Sequence, residues 1–144
     1  MTYSVTARRA ELFGGLVAPL SVPSSESSGS ELFRFLRERI RDRSADPIAV
    51  STIFVPDELG DYNAVIGLPY ESPSDVPVGD VFLQVPSGIF ARFVPSGNLR
   101  DPIDDVWAQV DEATESGTLF RAYKEDVEVV TQSGEVELFI SVVI

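Results

Sequence analysis

The stretch Val85-Pro-Ser-Gly-Ile-Phe-Ala-Arg-Phe-Val-Pro-Ser-Gly97 says Val-Pro-Ser-Gly twice, around a core of aromatic and β-branched residues. A phosphate-cradling loop needs backbone N–H groups converging on one anion and a lysine behind them. The only cation inside this stretch is Arg92, so that reading is weak. Pro-Ser-Gly is a turn signal, with proline fixing φ and glycine accepting positive φ, and Ile89–Val94 has strand composition. One strand between two turns is therefore expected, and the second turn leads toward Asp101-Pro102.

Working outward, "DPIDDVWAQVDEATESG" (residues 101–117) carries Asp101 as N-cap, Pro102 at the first helical position, acids in the first turn and Gly117 as a stop. Its apolar stripe is Ile103, Val106, Trp107 and Val110. A second helix is expected over "SGSELFRFLRERIRDR" (residues 28–43), capped either by a Ser28/Glu31 box or by Ser30 directly, with Leu32, Phe33, Leu36 and Ile40 inward. Its arginines, Arg34, Arg37 and Arg41, share one helical face; this is read as solvated, with docking of an acidic partner as the alternative.

Strands are expected at Leu12–Val22, Ile48–Val55 and Asn63–Tyr70 around the first helix. "VFLQV" and "IFARFV" precede the second helix; "LFRAY" and "VELFISVV" follow it. Each half then runs strand, helix, strand, strand. The first module spans about 1–70 and the second about 81–144, joined by the proline-rich linker 71–80. Residues 21–30 are polar and read as a mobile loop. The fold class expected is α+β: a mostly antiparallel sheet from two pseudo-symmetric modules, two helices on one face and a concave ligand groove on the other.

The chemistry available is narrow. Among 144 residues there is neither cysteine nor histidine, which removes disulfides, thiolate metal sites, cysteine catalysis and histidine-based triads. No metal and no cofactor is expected. A formal charge of −12 repels a phosphate backbone, so nucleic acid is not expected as a direct partner. No signal-peptide pattern or membrane-length apolar run is present, and a soluble cytoplasmic protein of one domain is expected.

The ordered series in the second half resembles the GyrI-like small-molecule-binding family, the effector-binding domain of AraC-type regulators. It consists of a Pro-x-Gly turn, Gly88-Ile89-Phe90-Ala91-Arg92-Phe93, a helix carrying Trp107, the Glu115-Ser116-Gly117 exit, Phe120-Arg121-Ala122-Tyr123 and the closing "VELFISV". The resemblance implies two modules with a small hydrophobic or aromatic ligand in the groove between them. It also implies a stand-alone binder linked to transcriptional regulation or resistance. Alternatives are a cofactor-free hydrolase detoxifying a reactive hydrophobic compound, and a gyrase-inhibitor-like protein acting through protein contacts. A protein partner, or a homodimer through edge strands, is left open.

Where that family's pattern has Phe-Glu-x-Tyr, this chain has Arg121, which implies an anionic or neutral ligand. A surface pairing of Arg121 with Glu125 or Glu137 is the competing reading. Arg121, Tyr123, Phe90 and Phe139 are the leading ligand-binding candidates. Tyr62 and Tyr70 are further candidates from the first module, and Trp107 is a candidate that its helical spacing also explains as core. Glu137 and Tyr123 are the pair a hydrolase would use. If residues 120–129 form one strand its two faces conflict, so a break is expected at Lys124-Glu125-Asp126.

Overall fold

The computed structural model describes residues 3–143. Its eight strands are β1 (Ser4–Arg8), β2 (Glu11–Leu20), β3 (Val50–Pro56), β4 (Tyr62–Tyr70), β5 (Val81–Val85), β6 (Gly88–Phe93), β7 (Asp126–Val130) and β8 (Val136–Ser141). Three helices accompany them: α1 (Ser25–Ser28), α2 (Glu31–Arg41) and α3 (Pro102–Glu115). All strands lie in one antiparallel sheet, in the order β1-β6-β8-β7-β3-β4-β2-β5. The α+β architecture expected from the sequence is the one observed.

The order is its own mirror. Advancing each strand of the first half by four turns the list into its reverse, so a pseudo-twofold axis runs between β3 and β7. Each half is strand, strand, helix, strand, strand, one strand more than the sequence pattern suggested. The opening strands are exchanged: β1 pairs with β6 of the second half, and β5 with β2 of the first. β1 was missed because a five-residue edge strand with no buried residue leaves almost no periodic signal.

This exchange curls the sheet. β1 and β2 stand first and seventh in order, yet only Arg9 and Ala10 separate them. That link reaches about 11 Å, whereas six spacings of a flat sheet need about 29 Å. The edges must therefore converge where β1 ends and β2 begins. Gly15 and Gly67 face each other in the β2–β4 pair, and a Cβ on either would lie within about 2 Å of a carbonyl oxygen of the partner strand. No side chain fits that approach.

Inside the curl, on the face without helices, Phe13, Ile53, Val85, Phe90, Val127 and Phe139 form a compact apolar cluster. The other face carries the larger core, where Phe33 and Ile40 of α2 and Ile103, Val106, Trp107 and Val110 of α3 pack on Val50, Phe54, Ile66, Ala91, Phe93, Leu138 and Ile140.

Local differences have local causes. Residues 21–30 are not a free loop: Ser24 and Ser27 form a reciprocal capping box around α1, and Ser28 is fully buried. Ser30, rather than Ser28, caps α2 through the Phe33 N–H, and Leu32 points to solvent while Arg37 takes its place inside. "LFRAY" is not a strand but an extended segment with a single bridge, Arg121 to Val142. The expected break arrives at Tyr123, whose φ is 54°, and β7 starts after it.

Candidate functional site

The Val-Pro-Ser-Gly turn after β6 does cradle an anion, and it is the protein's own. Asp105, on the first turns of α3, accepts hydrogen bonds from the N–H groups of Ser96 (3.0 Å), Gly97 (3.1 Å) and Leu99 (3.3 Å). The Ser96 hydroxyl and the Gln109 amide (2.8 Å) also donate to it. Burial pushes this carboxyl up, but the donors of Ser96, Gln109 and Leu99 outweigh it, and Asp105 sits well below the ordinary carboxylate range. The contacts tie the turn to α3 and set the position of its N-terminus.

α2 and α3 lie on the same face of the sheet, and a cleft of about 290 Å³ opens between them. Val130, Val136 and Ile103 give it an apolar floor and side. Arg34, Arg37 and Arg41 of α2 form one wall, and the β7–β8 turn closes the end. The pseudo-twofold junction of β3 and β7 runs beside it, where Glu128 and Thr52 stand opposite each other in register.

Glu128 is fully buried. Its Oε1 accepts the Ser28 hydroxyl of α1 at 2.5 Å, and its Oε2 accepts the Trp107 indole N–H of α3 at 2.8 Å. Arg37 approaches to 3.8 Å without a hydrogen bond to it, donating instead through Nη2 to the Ser28 carbonyl at 2.8 Å. Three helices thus meet on one carboxyl group. Burial raises the Glu128 pKa, an effect that Ser28, Trp107 and Arg37 oppose; burial likewise lowers that of Arg37. Arg37 Nη1 and Thr52 Oγ1 are buried with no hydrogen-bond partner among the described residues, a state that is costly for a polar group in the interior.

The residues singled out in the sequence are placed as follows. Arg121 does not face the inside of the curl: its Nη2 donates to Asp126 at 2.9 Å, and Asp126, fully buried, also accepts the Ser141 N–H and hydroxyl. The pairing is with neither Glu125 nor Glu137, because Asp126 is the acid carried inward at the start of β7. An arginine neutralised in this way gives no ground for an anion preference at that point. Tyr123 is 56% exposed, beside the Arg121 guanidinium.

Phe90 and Phe139 do lie inside the curl, buried in a cluster with Phe13; Phe90 also borders a small cavity of about 150 Å³ with Ile89, Ala122 and Val142. Trp107 is core, edge-on to Phe54 at 5.6 Å. Tyr62 and Tyr70, at the two ends of β4, pack on the helix-side core. Glu137 is held by Arg92 at 2.6 Å, while the residue next to Tyr123 is fastened to Ser141, four positions along β8. The hydrolase pair is not brought together.

Glu128 escaped sequence reading, and Arg37, read there as part of a solvated basic face, is buried. In Val127-Glu128-Val129 the acid marks a polar face, and in an edge or one-sided strand that face meets water. β7 is fourth from one edge and covered on both sides, which only the topology reveals.

Solved structures share this fold, among them three whose matches cover 99% of this chain. SAV2435 bound to tetraphenylphosphonium matches with a TM-score of 0.75 and 10% identity, over 99% of this chain and 94% of that one. An integron cassette protein from the mobile metagenome of Vibrio cholerae, VCH_CASS2, matches with a TM-score of 0.73 and 18% identity, over 99% and 97%. A bacterial transcription regulation protein from Staphylococcus aureus MU50 matches with a TM-score of 0.65 and 10% identity, over 99% and 98%. Among curated proteins none matches. The model of the Cass2 family, described as integron-associated effector binding protein, matches residues 30–142, from the N-cap of α2 to just past β8. The chain belongs to the Cass2 family of integron-associated effector binding proteins.

Proposed function

We propose that the protein binds a small, largely apolar molecule in the cleft between α2 and α3, with the two halves of residues 1–70 and 81–144 acting as one binding unit. The observation that carries this reading is the cleft itself, an apolar floor of Val130, Val136 and Ile103 beside a buried polar node with unpartnered donors. Apolar cavities with a few convergent polar groups are the usual form of small-molecule sites. Membership of an effector-binding family supports it, as does a structural neighbour bound to tetraphenylphosphonium. The wider relation to GyrI-like domains, and a role in regulation or resistance, belong to the same proposal.

α1 is the element a bulky ligand would move. It has four residues and is fastened by Ser28 to Glu128, which lies 3.8 Å from Arg37 of the cleft wall. Thermal-shift screening of aromatic and amphiphilic compounds tests the reading: a ligand that binds only the folded state raises Tm with concentration. A hit whose effect is abolished by Gln132→Trp, at the cleft mouth, supports it. Hits insensitive to that change refute it.

A further inference from the structure

The sheet is open, and its two edges differ. β1 carries Arg8 and is followed by Arg9, whereas residues 81–91 hold no charged residue and β5 contains no proline. Charges, prolines and bulges are the usual devices that keep an edge strand from pairing. β5 has none of them, and its register with β2 is unbroken. Among the described residues, no backbone group outside that ladder hydrogen-bonds to residues 81–85. The N–H and C=O groups on the outer side of β5 are therefore free to pair with another strand.

Apolar side chains flank this edge on both faces. Gly15 faces Val81 and Phe13 faces Leu83, so Val17, two residues on, shares the face of Val81 and Leu83 beyond the start of β5. Val17 is 50% exposed and Val81 38%; on the opposite face Phe82 is 54% exposed. A strand laid along β5 would cover Val81 and Phe82, with Val17 at its margin, and would take up the outer backbone groups.

The occupant that fits is a second copy of this chain. In a molecule of net charge −12, an uncharged strand is where two copies can meet without setting carboxylate against carboxylate. Antiparallel pairing about a twofold axis at Leu83 sets Val81 of one copy opposite Val85 of the other, Phe82 opposite Gln84 and Leu83 opposite itself. Such a contact uses one patch twice and closes at two copies, whereas β1 against β5 would propagate into a fibre. We propose that the protein forms a twofold dimer through β5, joining two eight-stranded sheets into one. None of the residues lining the α2–α3 cleft takes part in it.

Sedimentation velocity of the full chain tests this. A five-residue strand pair is smaller than a standard stable interface, so a reversible monomer–dimer equilibrium with Kd on the order of 10–100 μM is expected. The copies carry like net charge, and added salt is expected to tighten their association. Phe82→Lys, at an exposed position, should weaken it about tenfold or more with Tm unchanged. Because the chain has no cysteine, Leu83→Cys places a single thiol at the axis, and oxidation is expected to link the dimer; Ser133→Cys, in the turn between β7 and β8, should stay unlinked. A chain that is monomeric at about 500 μM, well above that Kd, would overturn the proposal. So would a dimer that Phe82→Lys leaves intact and Leu83→Cys does not link, since its contact would lie elsewhere. If Leu83→Cys does not fold, the response of the dimer to Phe82→Lys decides.

Discussion

Asp105 and Glu128 are both buried acids, and their environments push them in opposite directions. Asp105, with backbone donors on both oxygens, titrates below the ordinary carboxylate range despite its burial. As pH falls the unfolded chain takes up the proton first, so this stabilisation is present at neutral pH and is lost below about pH 4. Glu128 and Asp126 are raised by burial. Their contribution is present below about pH 4 and declines as pH rises past it. Melting curves collected across acidic and neutral pH should therefore lose part of the acid limb in Asp105→Asn. In Glu128→Gln they should lose part of the decline on the other side. Identical pH profiles for the variants and the parent would count against these assignments. Asp105→Ala should cost about 2–4 kcal/mol in denaturant unfolding, since several buried N–H groups lose their acceptor.

The strands and helices differ in how well they could be read. α3 is announced by cap, proline, stripe and stop within its own residues, and β2 to β6 and β8 by composition between turns. The pairing of β1 with β6 and the inward turn of Glu128 depend on neighbours distant in sequence, and no local pattern encodes them. The site was legible to the extent that its helices were. Arg37 was visible as part of a basic face, but that this face turns inward depends on α3 standing opposite. β2 and β4 supply the sharpest test of the curl. Gly15→Ala places a methyl group about 2 Å from the Ile66 carbonyl oxygen, and should cost about 3 kcal/mol or more. Gly60→Ala, at a turn with open space around it, should cost only about 1 kcal/mol for its positive φ. Equal losses in urea titrations would mean that the strands do not approach as described.

The reciprocal exchange of β1 and β5 makes each half depend on the other for an edge. Residues 81–144 alone would leave β6 without β1 and β7 without β3. The whole chain should therefore unfold in one transition, with far- and near-ultraviolet circular dichroism coincident; two separated transitions would contradict it. The same exchange curls the sheet so that Phe13, Phe90 and Phe139 pack into one cluster on the face that the sequence offered as a groove; the function proposed above places the ligand between the helices instead. The most direct test is chemical-shift mapping of the isotope-labelled chain titrated with a compound found by the thermal-shift screen. Shifts are predicted to concentrate on Ile103, Val130 and Val136, with Phe13, Phe90 and Phe139 still. Shifts concentrated on those phenylalanines instead would contradict the account.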